Sequence, residues 1–173
     1  MNTPLKAPIV IFACGNPSRG DDALGPLLLE RLQDWLDAEV LAEGFELIGD
    51  FQLNIEHALD LVGRRLALFI DAGSGTPAPF VFREAVASDR ATHSTHALPP
   101  ESVLAILSRV SVSAPPPAFV LCVRGERFEL GEGLSESATF NAERAFDLLK
   151  RLCRSPDAAL FQAAAHTTSL DIS

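Results

Sequence analysis

Three polar residues of this 173-residue sequence follow apolar runs and carry types that could do chemistry together: Asp22, Asp71 and His96. Two carboxylates and an imidazole are a workable ligand set for a divalent transition metal, with positions left open for water or substrate. In a parallel α/β sheet, binding and catalytic groups gather outside the carboxyl ends of the strands, so residues just after apolar runs are the ones to inspect. The spacing itself is not specific. An Asp at a helix start is commonly a cap, an Asp after a strand a turn former, and a loop His a solvated side chain. Asp21 competes with Asp22, and His93 competes with His96, because loop geometry decides which of each pair reaches the sheet edge. His57 falls on an amphipathic stretch, Gln52 to Val62, and reads as a surface residue. His166 belongs to the C-terminal segment.

Other chemistries fit less well. Ser18, Ser74 and Ser94 are not in a G-x-S-x-G elbow, and Cys14, just before Gly15, has no assigned base. The turn Gly15-Asn-Pro-Ser-Arg-Gly20 lacks the G-K-[ST] ending of a phosphate loop, and two acids behind it would repel a phosphate. No G-x-G-x-x-G follows the first strand. Cys14, Cys122 and Cys153 form no C-x-x-C pair, which favours small core side chains in a reducing compartment.

The elements that must position these residues are legible as periodicity. Pro8–Cys14 and Leu66–Ile70 are continuous apolar runs and read as buried strands, with another strand over Phe45–Ile48. Leu24, Leu27, Leu28, Leu32 and Trp35 recur at helical spacing behind Asp21 and Asp22, where the helix dipole favours negative charge. The resulting βαβαβ order, with right-handed crossovers, predicts a parallel sheet with helices on both faces. Phe80–Arg83 reads as a short edge strand, antiparallel to its neighbour. Pro99-Pro100-Glu101 starts a helix, Pro115–Pro117 leads into strand Ala118–Val123, and Ser135-Glu-Ser137 opens a last amphipathic helix to about Leu152. The predicted fold is a three-layer α/β/α sandwich with a mostly parallel sheet of about five strands. One domain over residues 1–155 is expected, followed by a tail, 156–173, that is partly helical or disordered.

Composition bounds the partners. With 47% hydrophobic and 21% charged residues the chain is ordinary globular material, and its length suffices to bury about two-thirds of the unfolded surface. A formal charge of −9 opposes attraction to nucleic acid or anionic lipid. No apolar run reaches the roughly 20 residues of a membrane span, and no signal peptide is evident, so a cytoplasmic protein is expected.

The run Gly15-Asn-Pro-Ser-Arg-Gly-Asp-Asp22-Ala-Leu-Gly25 resembles the G-N-x-x-x-x-D-[DE]-x-x-G signature of the nickel-iron hydrogenase maturation endopeptidases. Phe51–Glu56, Phe69-Ile-Asp71-Ala, Ser94-Thr-His96 ahead of Pro100–Leu104, and Gly133-Leu-Ser135 follow in the family's order, so the resemblance spans about residues 9 to 152. The Gln52–Glu56 segment is similar to members serving the soluble, NAD-reducing hydrogenases. Membership implies a twisted sheet between helix layers and removal of a C-terminal extension from the hydrogenase large-subunit precursor after nickel insertion. It implies Asp22, Asp71 and His96 as the metal-contacting and catalytic trio. It further implies that the nickel is supplied by the precursor, with no permanent organic cofactor, and a monomer is expected. Ala13 and Ala23 stand where many members carry glycine. Two rivals remain at this level, a non-catalytic maturation chaperone and a small-molecule hydrolase with its own metal.

Overall fold

A computed structural model describes residues 6–89 and 97–170, with side chains through residue 168. Five strands, β1 (Ile9–Cys14), β2 (Phe45–Asp50), β3 (Leu66–Gly73), β4 (Phe80–Ala85) and β5 (Ala118–Arg124), form one sheet in the order β2-β1-β3-β5-β4. All neighbours are parallel except β4, which runs antiparallel to β5 at one edge, as expected from its short alternating sequence. The helices are α1 (Leu24–Ala38), α2 (His57–Asp60), α3 (Pro100–Val110), α4 (Glu136–Arg154) and α5 (Ala158–Leu170).

The uniform hydrophobicity of the central strands is explained by burial on both faces. Ile9, Ile11 and Ala13 of β1 join Leu66, Leu68 and Ile70 of β3 on the face covered by α1, α4 and α5. Their alternates, Val10, Phe12 and Cys14 with Ala67 and Phe69, face Leu53, Ala58 and the α3 residues Val103, Leu104 and Leu107. Phe12 and Phe69 stack at 4.9 Å between ring centroids, an arrangement that adds about 0.5–1.5 kcal/mol beyond area burial. The three-layer sandwich is therefore the observed architecture.

α1 is a Leu-rich helix whose buried residues Leu24, Leu28, Leu32 and Leu36 fall on one stripe. It ends where Val40 takes a left-handed conformation (φ 59°) and the Leu41 amide bonds back to the Leu36 carbonyl at 2.8 Å. α4 starts at Ser135, whose hydroxyl accepts the Ala138 amide, the N-cap that its sequence predicts.

Two expectations change. Only His57–Asp60 of the Gln52–Val62 stretch is an α-helix. Asn54 competes with helix there: its side-chain carbonyl accepts the Glu56 amide, and its own amide donates to Nδ1 of His57. The segment expected as a partly helical or disordered tail is helical over Ala158–Leu170, and Phe161, Ala164 and Ala165 of that helix are buried in the core. α5 packs on β4 and inserts Phe161 against Phe82 and Phe119, at 6.0 and 5.3 Å between centroids. Its alanine-rich sequence supplies few large side chains to reveal that role.

Close helix-to-strand packing depends on Gly25, where an added Cβ would lie 2.2 Å from the Cys14 carbonyl oxygen. Gly25→Ala should therefore lower stability by about 1–3 kcal/mol, read as a shifted urea midpoint with an unchanged denaturant slope.

Candidate active site

The acidic pair at the start of α1 divides into two roles. Residues Gly20–Ala23 form a short 3-10 turn. Within it Asp21 is completely buried, and its carboxylate accepts four hydrogen bonds. These come from the amides of Glu126 (2.7 Å), Arg127 (3.0 Å) and Ser135 (2.7 Å) and from the Ser135 hydroxyl (2.8 Å). Burial pushes this carboxyl's pKa up, but the bonds from Arg127, Glu126 and Ser135 outweigh it and hold it below the ordinary carboxylate range. The Asp21 amide in turn donates to the Arg127 carbonyl at 2.7 Å. Gly20, at φ 52°, permits this approach, since a Cβ there would sit 2.4 Å from the Arg127 oxygen. Asp21 is thus a structural anchor.

Asp22 faces the other way. Its Oδ2 accepts the Asn16 amide at 2.8 Å, and the residue lines a cleft of about 620 Å³ at the carboxyl end of the sheet. Asp71 lines the same cleft. It continues the β3 alternation of Ala67 and Phe69, so its side chain emerges on the α3 side of the sheet, beside Cys14. Its carboxylate reaches water but sits within the concave wall. Burial pushes its pKa up, the Ala72 amide bond draws it down, and the negative charge of Asp22 raises it further, to about 6. Among the described residues, neither carboxylate forms an ion pair with Lys or Arg. Arg83, the cation lining the cleft, is engaged by Glu101 of α3.

Asp50 and His57 are functional candidates that the sequence reading passed over. Asp50 ends β2 as Asp71 follows the apolar run of β3, so the same strand-end criterion applies to it. His57 is buried, not a surface residue. Its Nδ1 accepts the Asn54 amide at 2.9 Å, which leaves the ring proton on Nε2, 3.5 Å from Oδ2 of Asp50. The ring stands edge-on to Phe12 at 5.5 Å.

Cysteine nucleophilicity is suppressed at this site. The Cys14 thiol is pushed up to about 12, first by burial and then by the charges of Asp71, Asp50 and Asp22, so it stays protonated at neutral pH. Burial also raises the Cys122 thiol, whose Sγ lies 3.2 Å from the Thr76 hydroxyl, and pushes Cys153 up to about 12. The three cysteines are free.

Asp22 and Asp71 are thus brought together, while His96 and its competitor His93 lie outside the described residues. Among the described residues no group of three His, Cys, Asp or Glu side chains could hold a metal ion. Ala23, where the signature often has glycine, has ordinary right-handed helical angles (φ −70°, ψ −8°), and Ala13 is a packed core residue, so neither departure disturbs the turn.

The two kinds of carboxylate should respond oppositely to mutation. Asp21→Ala strands the amides of Glu126, Arg127 and Ser135, and a loss of about 3 kcal/mol or more is expected. For Asp71 the native pKa is raised, so the native state holds more protons than the unfolded chain between about 4 and 6, and stability falls as pH rises through that window. Asp71→Asn should therefore raise the melting temperature at pH 7, with the gain vanishing below about pH 4. Thermal unfolding of both variants across pH checks this.

No protein-family model matches the sequence, and no curated protein matches it. Solved structures do match the fold. A NiFe hydrogenase maturation protease HycI from Thermococcus kodakarensis superposes with a TM-score of 0.66 at 24% identity, over 87% of this chain and 94% of that one. The hydrogenase maturating endopeptidase HybD from E. coli gives 0.65 at 20% identity, over 84% and 91%. An endopeptidase from Escherichia coli gives 0.64 at 21% identity over the same shares. The sheet order, the helix layers and these superpositions agree: the chain has the fold of the hydrogenase maturation proteases.

Proposed function

We propose that this chain is an endopeptidase that removes the C-terminal extension of a nickel-iron hydrogenase large-subunit precursor after nickel insertion. It acts as a monomer in the cytoplasm, where its three cysteines stay reduced. The observation that carries this reading is the convergence of Asp22 and Asp71, without a cationic partner among the described residues, on one cleft of the fold shared with maturation proteases. The −9 net charge accords with a protein partner rather than nucleic acid. No helix among the described residues is long and apolar enough to cross a membrane.

In this reading the cation is cargo. Nickel seated in the precursor docks against Asp22, Asp71 and His96, and their geometry fixes the scissile peptide at the cleft. A cation beside two close carboxylates favours their ionised forms and offsets both the burial that chiefly raises Asp71 and the Asp22 charge that adds to it. A water oxygen then attacks the peptide carbonyl carbon, a carboxylate of the site takes the water's proton, and the C–N bond breaks as the leaving amine gains a proton. Direct attack by water is favoured over an acyl-enzyme because the Cys14 thiol is protonated and sits among three carboxylates.

Incubation with nickel-loaded precursor, followed by mass spectrometry, tests the proposal. Wild-type protein should shorten the precursor and leave nickel-free precursor intact. Asp22→Asn, Asp71→Asn and His96→Ala should each lower processing by about two orders of magnitude or more while remaining folded. An unchanged precursor mass with wild-type protein would leave a chaperone. Because kcat/KM reports the free enzyme's ionisations, it should fall as pH drops through about 6, where Asp71 gains its proton.

A further inference from the structure

We infer that the free edge of β2 receives an extended segment of the protein substrate as a sixth strand, leading its scissile bond into the cleft; the inference rests on the endopeptidase reading. The two edges of the sheet differ. α5 packs against β4, whereas β2 ends the sheet with no further strand beside it among the described residues. Edge strands are usually guarded by charged side chains, lysine above all, by proline or by a bulge. The β2 sequence, Phe-Glu-Leu-Ile-Gly-Asp, has neither lysine nor proline; of its two acids, Glu46 is paired with Arg64 and Asp50 stands at the strand end, and the strand pairs with β1 residue for residue from Ile9–Phe45 to Cys14–Asp50 without a bulge.

The direction of the backbone groups follows from the ladder. The Asp50 carbonyl accepts the Gly15 amide at 3.2 Å, so the main chain of Asp50, and by alternation that of Ile48 and Glu46, is turned toward β1. The amides and carbonyls of Leu47 and Gly49 therefore point outward, where an incoming strand would meet them. On the α1 side of this edge lies a groove of about 550 Å³ with Pro26, Leu29 and Leu47 among its apolar walls. Glu30 and Asp50 also line it, and no Lys or Arg does. Gly49 keeps it open beside Leu29, whose Cδ2 would lie 3.2 Å from an added Cβ.

This groove joins the cleft. Phe51, 68% exposed, lines both, and Asp50 bridges them by lining the groove while its charge acts on Cys14 of the cleft. A peptide laid along β2 would thus pass over the carboxyl edge of the sheet at Phe51 and enter the cleft that holds Asp22 and Asp71. An endopeptidase needs its substrate extended, and strand addition supplies main-chain hydrogen bonds while alternate side chains enter the groove. The walls select the occupant: an apolar side chain against Leu29 and Leu47, with a basic side chain two residues along against Glu30 and Asp50.

Steady-state processing of nickel-loaded precursor by Gly49→Pro and Glu30→Arg tests this. Proline removes only an outward amide and is tolerated on edge strands; Glu30 is an exposed residue of α1, so its variant decides the matter if the proline variant fails to fold by circular dichroism. Each folded variant should raise KM about tenfold with kcat retained. Wild-type KM in the folded variants, or a fall in kcat alone, overturns the inference while the peptidase assignment stands. Absence of processing by the wild type overturns both. A concentration-dependent dimer by analytical ultracentrifugation, lost in these variants, would assign the edge to a second copy instead and also overturn it.

Discussion

A carboxylate with no access to water is tolerated only when its lone pairs are satisfied, and Asp21 meets that demand by gathering chain from more than a hundred residues away. The demand has geometric consequences. Ser135 gives both its amide and its hydroxyl to Asp21 while the same hydroxyl oxygen accepts the Ala138 amide, so the anchor and the N-cap of α4 are one unit. α4 then packs beside α1, with Arg31 and Glu143 paired at 2.6 Å across the helices and Arg31 over the Phe146 ring. The 3-10 turn that carries Asp22 is thereby held from both ends, and Asp22 is left facing the cleft.

The cleft reverses this economy. Asp21 is a charge that the fold satisfies with donors; Asp22 and Asp71 are charges left close together with one backbone amide each, and burial, with the Asp22 charge adding to it, raises Asp71 to about 6. Repulsion of this kind costs stability and is kept where a ligand relieves it. A cation carried by the substrate would do so only at the moment of docking, which links recognition of nickel to occupancy of the site.

Much of the fold was legible because burial on both faces leaves a simple trace. The runs Ile9–Cys14 and Leu66–Ile70 could be little other than central strands, and Asp71 was conspicuous for ending one of them. The anchoring role of Asp21 was not legible, because its partners Glu126, Arg127 and Ser135 are remote in sequence and three of its four bonds come from backbone amides, which no side-chain pattern reports. His57 was misplaced for a related reason: Asn54 diverts the chain from the helical period, so a residue that counts as outward on a wheel turns inward against Phe12. The packing of α5 was hidden by its composition, one Phe among alanines.

Substrate docking and the chemistry of the cleft both depend on Asp22 and Asp71 sharing one electrostatic site. Carbon-detected NMR titration of the Asp71 carboxyl, in the wild type and in Asp22→Asn, measures it directly. An apparent pKa of about 6 is expected in the wild type, and a lower value, still above the ordinary carboxylate, once the Asp22 charge is removed. An Asp71 that titrates near 3.8 in the wild type, or that is unmoved by Asp22→Asn, would contradict it.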